Sequence, residues 1–137
     1  MNQKIKIPER VEDFTEKHRQ FIWTEILGGK IDGEFTTWYE NENLYADKKW
    51  ILNDCKCGSD WFHPEQKIEC AKMLDGWLIE KGLILKIDFE CHHFSKPKYE
   101  VYIYNENADL LGEKFSNSEP FARTCAILKA YIEMEEE

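Results

Sequence analysis

Leu83-Ile84-Leu85-Lys86-Ile87-Asp88-Phe89-Glu90-Cys91-His92, followed after a turn by Tyr99-Glu100-Val101-Tyr102-Ile103-Tyr104, decides the fold of this chain. In the first run Leu83, Leu85, Ile87, Phe89 and Cys91 point one way, and Lys86, Asp88, Glu90 and His92 point the other. Successive side chains of an extended chain alternate between faces, so this is a strand with one face buried. Residues 92–98 contain Ser95 and Pro97 and have to turn. Beyond them Tyr99, Val101 and Ile103 alternate with Glu100, Tyr102 and Tyr104, a second strand that so short a connection makes antiparallel to the first. Leu110 to Phe115 adds a third, short strand.

Working outward, the period changes from two to that of a helix. Phe121, Cys125, Leu128 and Ile132 recur at steps of four, three and four, the core face of a final helix that ends in glutamates. Ser116 and Ser118 are candidate N-caps, and Ser116 with Glu119 fits a capping box. Upstream, Pro64 is placed to open a helix that runs to Lys81 and stops at Gly82, with Ile68, Ala71, Leu74 and Leu78 as its stripe and Cys70, Met73 and Trp77 widening it. Near the start, Pro8 opens a first helix with Val11, Phe14, His18, Phe21, Ile22 and Ile26 on its apolar side, closed by Gly28-Gly29. His18 on that stripe reads as a hydrogen-bonded core histidine rather than a ligand. Residues 30–63 are the least regular: the runs 34–39 and 44–52 flank the turn-prone Glu40-Asn41-Glu42-Asn43, a small hairpin or ordered loop, and 53–60 read as loop. The expectation is one α+β domain over 1–137. A small antiparallel sheet of two to three strands is sandwiched by helices, in the order α, loop or hairpin, α, β, β, (β), α.

At 137 residues the chain can bury a core without staples. Five cysteines are an odd number, and no charged segment with an apolar run opens the chain. Reduced thiols in a cytosol are therefore expected. No apolar stretch approaches the length a membrane-spanning helix requires. The formal charge of −9 repels a phosphate backbone and no basic stripe offsets it, so direct nucleic-acid binding is not expected. The same charge serves solubility, or lets the chain mimic DNA and mask a basic protein surface.

Cys55-x-Cys57 is too tight for a zinc pair, and neither Cys70, His63 nor Cys91-His92-His93 supplies the second pair, so no metal site and no cofactor is expected. A cysteine nucleophile with a histidine base is formally available, yet nothing in the spacing selects one, and Cys70, Cys91 and Cys125 fall on core faces. No phosphate-cradling loop, nucleophile elbow or HExxH occurs, and the expectation is a protein that is not an enzyme. The informative excess is aromatic: five Trp, six Tyr and eight Phe. Trp38, Tyr39, Trp50, Trp61 and Phe62 form a candidate platform for a base or other planar ligand, with Arg123 added to the ligand-binding set. The competing reading makes these rings the lid of the core. Tyr102 and Tyr104, on the sheet face opposite Val101 and Ile103, together with the surplus of tryptophans, predict a homo-oligomer, a symmetric dimer.

The element order, with Phe62-His63-Pro64-Glu65 to Trp77-Leu78-Ile79-Glu80-Lys81-Gly82 and the terminal Glu119-Pro120-Phe121-Ala122 and Ala126-Ile127-Leu128-Lys129-Ala130, resembles the phage ABA-sandwich domain family over most of the chain. Arg123 and Thr124 depart from it, standing where small or apolar residues usually sit. The resemblance implies a small phage or prophage accessory protein made in the host bacterial cytosol. Its implied role is binding: sequestering a small nucleotide-like defence signal, or masking a host protein.

Overall fold

The computed structural model describes residues 5–40, 43–52, 55–58, 61–90 and 98–135. The fold is α+β, with two antiparallel three-stranded sheets. One contains β1 (Lys30–Glu40), β2 (Asn43–Leu52) and β3 (Cys55–Gly58). The other contains β4 (Ile84–Glu90), β5 (Lys98–Tyr104) and β6 (Leu110–Ser116). The helices are α1 (Glu16–Phe21), α2 (Ile68–Lys72), α3 (Asp75–Glu80) and α4 (Glu119–Glu135).

The alternation at 83–104 produces the expected pair, with Leu85 opposite Ile103 and Ile87 opposite Val101, and β6 completes the sheet. The buried face of this sheet packs on α4, which in turn contacts α2. From Phe121 to Leu128 every residue of α4 is buried, because the helix lies against β5 and β6 on one side and α2 on another. Small residues permit this enclosure. At Gly112 of β6 a side chain would drive its Cβ into the carbonyl oxygen of Ala126 and come within 3.0 Å of the Ala130 amide. The opposite face of the sheet carries lysines, carboxylates and tyrosines that lose too much hydration on burial, and it remains open.

Four expectations need correction. The first helix does not begin at Pro8. A 3₁₀ turn (Val11–Asp13) comes first, and α1 starts only after Thr15, whose extended backbone is fixed by a capping box with His18. The Thr15 amide donates to His18 Nδ1 at 3.0 Å, so the other ring nitrogen carries the proton and donates to the Lys6 carbonyl at 2.8 Å. Past Phe21 the helix widens into a π turn (Ile22–Ile26), with Leu27 N donating to Ile22 O, and Ile22 and Trp23 are both fully buried. The helix predicted over 64–81 is two short ones. Residues 64–66 form a turn, and between α2 and α3 the bonds tighten to Met73 N→Cys70 O and Leu74 N→Ala71 O, which keeps Cys70, Ala71, Leu74, Trp77 and Leu78 all facing inward. Gly82 ends α3 with φ +69, the left-handed conformation its lack of a Cβ allows. Finally, the predicted loop 53–60 contains β3, which pairs Cys57 with Trp50, and the hairpin of β1 and β2 is longer than its two apolar runs suggested. Ser118, not Ser116, caps α4: its Oγ accepts from Phe121 N at 3.4 Å, while Ser116 Oγ accepts from Ser118 N.

The β5–β6 turn holds one non-glycine residue in the left-handed region, Ala108 at φ 67. An L side chain there crowds the following carbonyl, so Ala108→Gly is expected to raise stability by about 0.5–1 kcal/mol, net of glycine's larger entropy loss. A urea midpoint at or below that of the unmodified chain contradicts this.

Candidate functional site

The aromatic segment divides in the folded chain. Trp50 and Phe62 are fully buried and pack on Trp23, with ring centroids 5.6 Å (Trp23 to Trp50), 5.0 Å (Trp23 to Phe62) and 6.1 Å (Trp50 to Phe62) apart. Trp23 Nε1 donates to the carbonyls of both Lys30 and Ile51 at 3.2 Å, which ties the π turn to the β1–β2 hairpin. These three rings are the core between the first helical segment and that hairpin, so Trp50 and Phe62 offer no face to a ligand. Trp61, by contrast, is 41% exposed, and its carbonyl accepts from Lys67 Nζ at 3.2 Å and Cys70 Sγ at 3.6 Å. Trp38 and Tyr39 lie on β1 opposite Tyr45 and Leu44; their side chains fall outside the described residues. Arg123 is also corrected. It is buried, its Nη2 donates to both carboxylate oxygens of Asp75 at 2.9 and 3.0 Å, and its Nη1 lies 3.5 Å from Glu119. That guanidinium ties α4 to α3 instead of meeting a ligand.

The turn at 63–66 carries a buried polar cluster that the sequence reading did not single out. Glu65 is 1% exposed; its Oε2 accepts from Arg19 Nη1 at 2.9 Å and lies 3.6 Å from His63 Nδ1. Its Oε1 has no hydrogen-bond partner among the described residues. Thr124 Oγ1 donates to Pro64 O at 2.8 Å and fixes the turn that carries Glu65. Thus Thr124 and Arg123, the departures noted in the last helix, both hold neighbouring segments in place.

Burial raises the Cys70 thiol above its ordinary range and pushes Cys125 up to about 12. Raised thiols stay protonated at neutral pH and are poor nucleophiles. Iodoacetamide at pH 8 should therefore leave Cys70 and Cys125 unmodified in the folded protein and alkylate both in urea, as read by peptide mass mapping. Native-state labelling of Cys125 contradicts its enclosure. The side chains of Cys55, Cys57, Cys91, His92 and His93 lie outside the described residues; among the described ones no three His, Cys, Asp or Glu are grouped to hold a metal ion.

The open face of the β4–β5–β6 sheet is the most distinctive surface. Cross-strand register places Ile84 beside Tyr104, Lys86 beside Tyr102, Tyr102 beside Glu113, and Phe115 beside Glu100. Tyr102 and Tyr104 stack with centroids 6.2 Å apart, Phe115 meets Tyr102 edge-on at 5.7 Å, and Lys98 Nζ sits 5.0 Å over the Phe115 ring. Ile84 and Phe115 are 57% and 43% exposed. Around these groups the described residues place Asp88, Glu90, Glu100 and Glu113 against Lys86 and Lys98, a surplus of carboxylates among the described residues. Tyr102 Oη donates to Glu100 Oε1 at 2.9 Å, and that hydrogen bond is the main cause that pushes the phenol up to about 12. At one end lies a depression of about 310 Å³ lined by Ile84, Lys86, Tyr104, Asn105, Glu106 and Ala108. No helix among the described residues is long and apolar enough to cross a membrane. No protein-family model, no curated protein and no solved structure matches this chain.

Proposed function

We propose that this chain is a non-enzymatic binding protein whose working surface is the open face of the β4–β5–β6 sheet, and that it masks a basic surface on a partner protein. The observation that supports this is the composition of that face: Tyr102 and Phe115 in contact across its strands, Ile84 and Tyr104 toward one end, and, among the described residues, more carboxylates than lysines around them. Aromatic centres with polar rims are what protein interfaces use, and a carboxylate surplus steers a basic partner and repels an anionic one. The charge ranks this reading above capture of a nucleotide-like signal, whose phosphates would meet the same carboxylates. Two of the rings first considered for such a ligand, Trp50 and Phe62, are enclosed, and Arg123 is engaged by Asp75. The resemblance to phage accessory proteins supports a host protein as the partner and the bacterial cytosol as the place.

Calorimetric titration with an Arg- and Gly-containing peptide, run beside a panel of cyclic and linear nucleotides, tests the proposal. The peptide should bind, weaken steeply with salt, and lose about tenfold in affinity in Tyr102→Ala/Phe115→Ala, roughly the worth of a modest interface hot spot. Nucleotide binding that survives this double variant overturns the proposal. A second copy of the chain is the other occupant considered for this face; a dimer by light scattering that dissociates in the same variant would put it there instead of a basic partner.

A further inference from the structure

Resting on the reading just given, the geometry points to the depression at the end of that face as a socket for one arginine side chain of the partner. At about 310 Å³ it is at the small end of ligand pockets, which run from roughly 300 to 1,000 Å³, so it suits a single side chain better than a multi-ring ligand. Its lining sorts by chemistry. Tyr104 supplies an aromatic face, Ile84 and Ala108 supply carbon against which an aliphatic stem can lie, and Glu106 supplies a carboxylate. A planar guanidinium on a methylene stem uses all three at once, stacking on the ring while donating to the carboxylate.

Charge selects the sign of the occupant. Lys86 is the one cation among the described residues of the lining, and its ammonium lies 3.8 Å from Asp88 Oδ2. With Glu106 also in the lining, the balance among the described residues is negative, and an anionic group finds no unopposed cation among them. The wall is also built before anything binds. Asn105 Oδ1 accepts from the amides of Asn107 and Asp109, each at 2.9 Å, and Asn105 Nδ2 donates to Asp109 Oδ2 at 3.2 Å. Asn105 N donates to Asp109 O and Ala108 N to Asn105 O, both at 3.0 Å. A fixed loop spares the ordering entropy a mobile one would lose on binding. On the ring side, Tyr102 stacks against Tyr104 and limits how far it can swing away.

The discriminating experiment follows backbone amides of the full-length ¹⁵N-labelled protein during titration with N-acetyl-L-arginine amide and, separately, with the lysine analogue. Arginine should shift the amides of Ile84, Lys86 and 104–108, and the lysine analogue should bind about fivefold more weakly, since it cannot stack a planar cation. Glu106→Gln should weaken arginine binding by about fivefold, the upper range for an exposed ion pair, and Lys86→Ala should strengthen it. Glu106 is exposed and in a turn, and unchanged amides elsewhere establish that its variant folds. Equal shifts from arginine and lysine, or arginine binding indifferent to Glu106→Gln, overturn the socket. The face itself is judged separately: if the Arg-containing peptide still depends on Tyr102 and Phe115 but not on Glu106, only the socket fails, whereas indifference to Tyr102 and Phe115 removes the broader reading as well.

Discussion

Glu65→Ala should lower the unfolding free energy by about 3 kcal/mol, and by more if the vacated space cannot close. The carboxylate is 1% exposed and Arg19 is 17% exposed, so alanine leaves a guanidinium largely out of water with no other counter-charge within hydrogen-bond reach among the described residues. His63, 3.6 Å from the same oxygen, loses its neighbour too. The 17% of Arg19 that remains exposed is why the lower end of the buried-pair range is the fitting one. For a domain of this length, a loss of this size moves the melting temperature by roughly 10 °C. Urea denaturation followed by tryptophan fluorescence measures it. A second variant separates the cost of breaking the pair from the worth of having it. Glu65 Oε1 has no partner among the described residues, so the carboxylate was dehydrated for incomplete compensation. Replacing both partners, Arg19→Met with Glu65→Met, should thus recover most of the lost stability. If Glu65→Ala stays within about 1 kcal/mol of the unmodified chain, the pair is far more hydrated than its geometry indicates.

Glu65 also illustrates what the sequence could and could not convey. Strands β4 and β5 were legible because period two over Leu83–Phe89 and Tyr99–Tyr104 has few competing explanations, and α4 because its core residues keep helical steps. Glu65 was hidden in a Pro-Glu pair that looks like an ordinary helix start. The His63 carbonyl, accepting from both Gln66 N and Lys67 N, and the Thr124 hydroxyl, donating to Pro64 O, turn the segment so that its carboxylate faces inward. The late start of α1 was missed for a related reason: histidine is an unusual partner in a capping box, so Thr15 and His18 did not read as a helix start. Strand β3 carries Cys-Lys-Cys-Gly, which has no strand pattern of its own and exists by pairing with β2. At the candidate site, Tyr102 and Tyr104 were correctly placed opposite Val101 and Ile103 because alternation assigns faces. The aromatic segment was not resolved, since a tryptophan's identity says nothing about whether its ring meets solvent or another ring.

Trp50→Ala and Trp61→Ala should separate these two fates by a wide margin. Trp50 has no exposed surface and touches both Trp23 and Phe62, so alanine removes an indole from a packed cluster and leaves a cavity that three strands and a π turn cannot all close. The expected cost is about 3–5 kcal/mol, a large share of the stability of a small domain. One term partly offsets it: Trp50 Nε1 is buried with no partner among the described residues, so Trp50→Phe keeps the ring contacts and removes the orphaned donor, and should cost well under half as much. Trp61 is 41% exposed and its hydrogen bonds run through its backbone carbonyl, which alanine retains, so its replacement should cost about 1 kcal/mol or less. Urea midpoints of the three variants decide the matter. A Trp50→Ala protein as stable as the unmodified chain would mean that its indole is free to meet a ligand after all. A Trp61→Ala protein that unfolds readily would mean that Trp61 closes over the Glu65 cluster and keeps water from it.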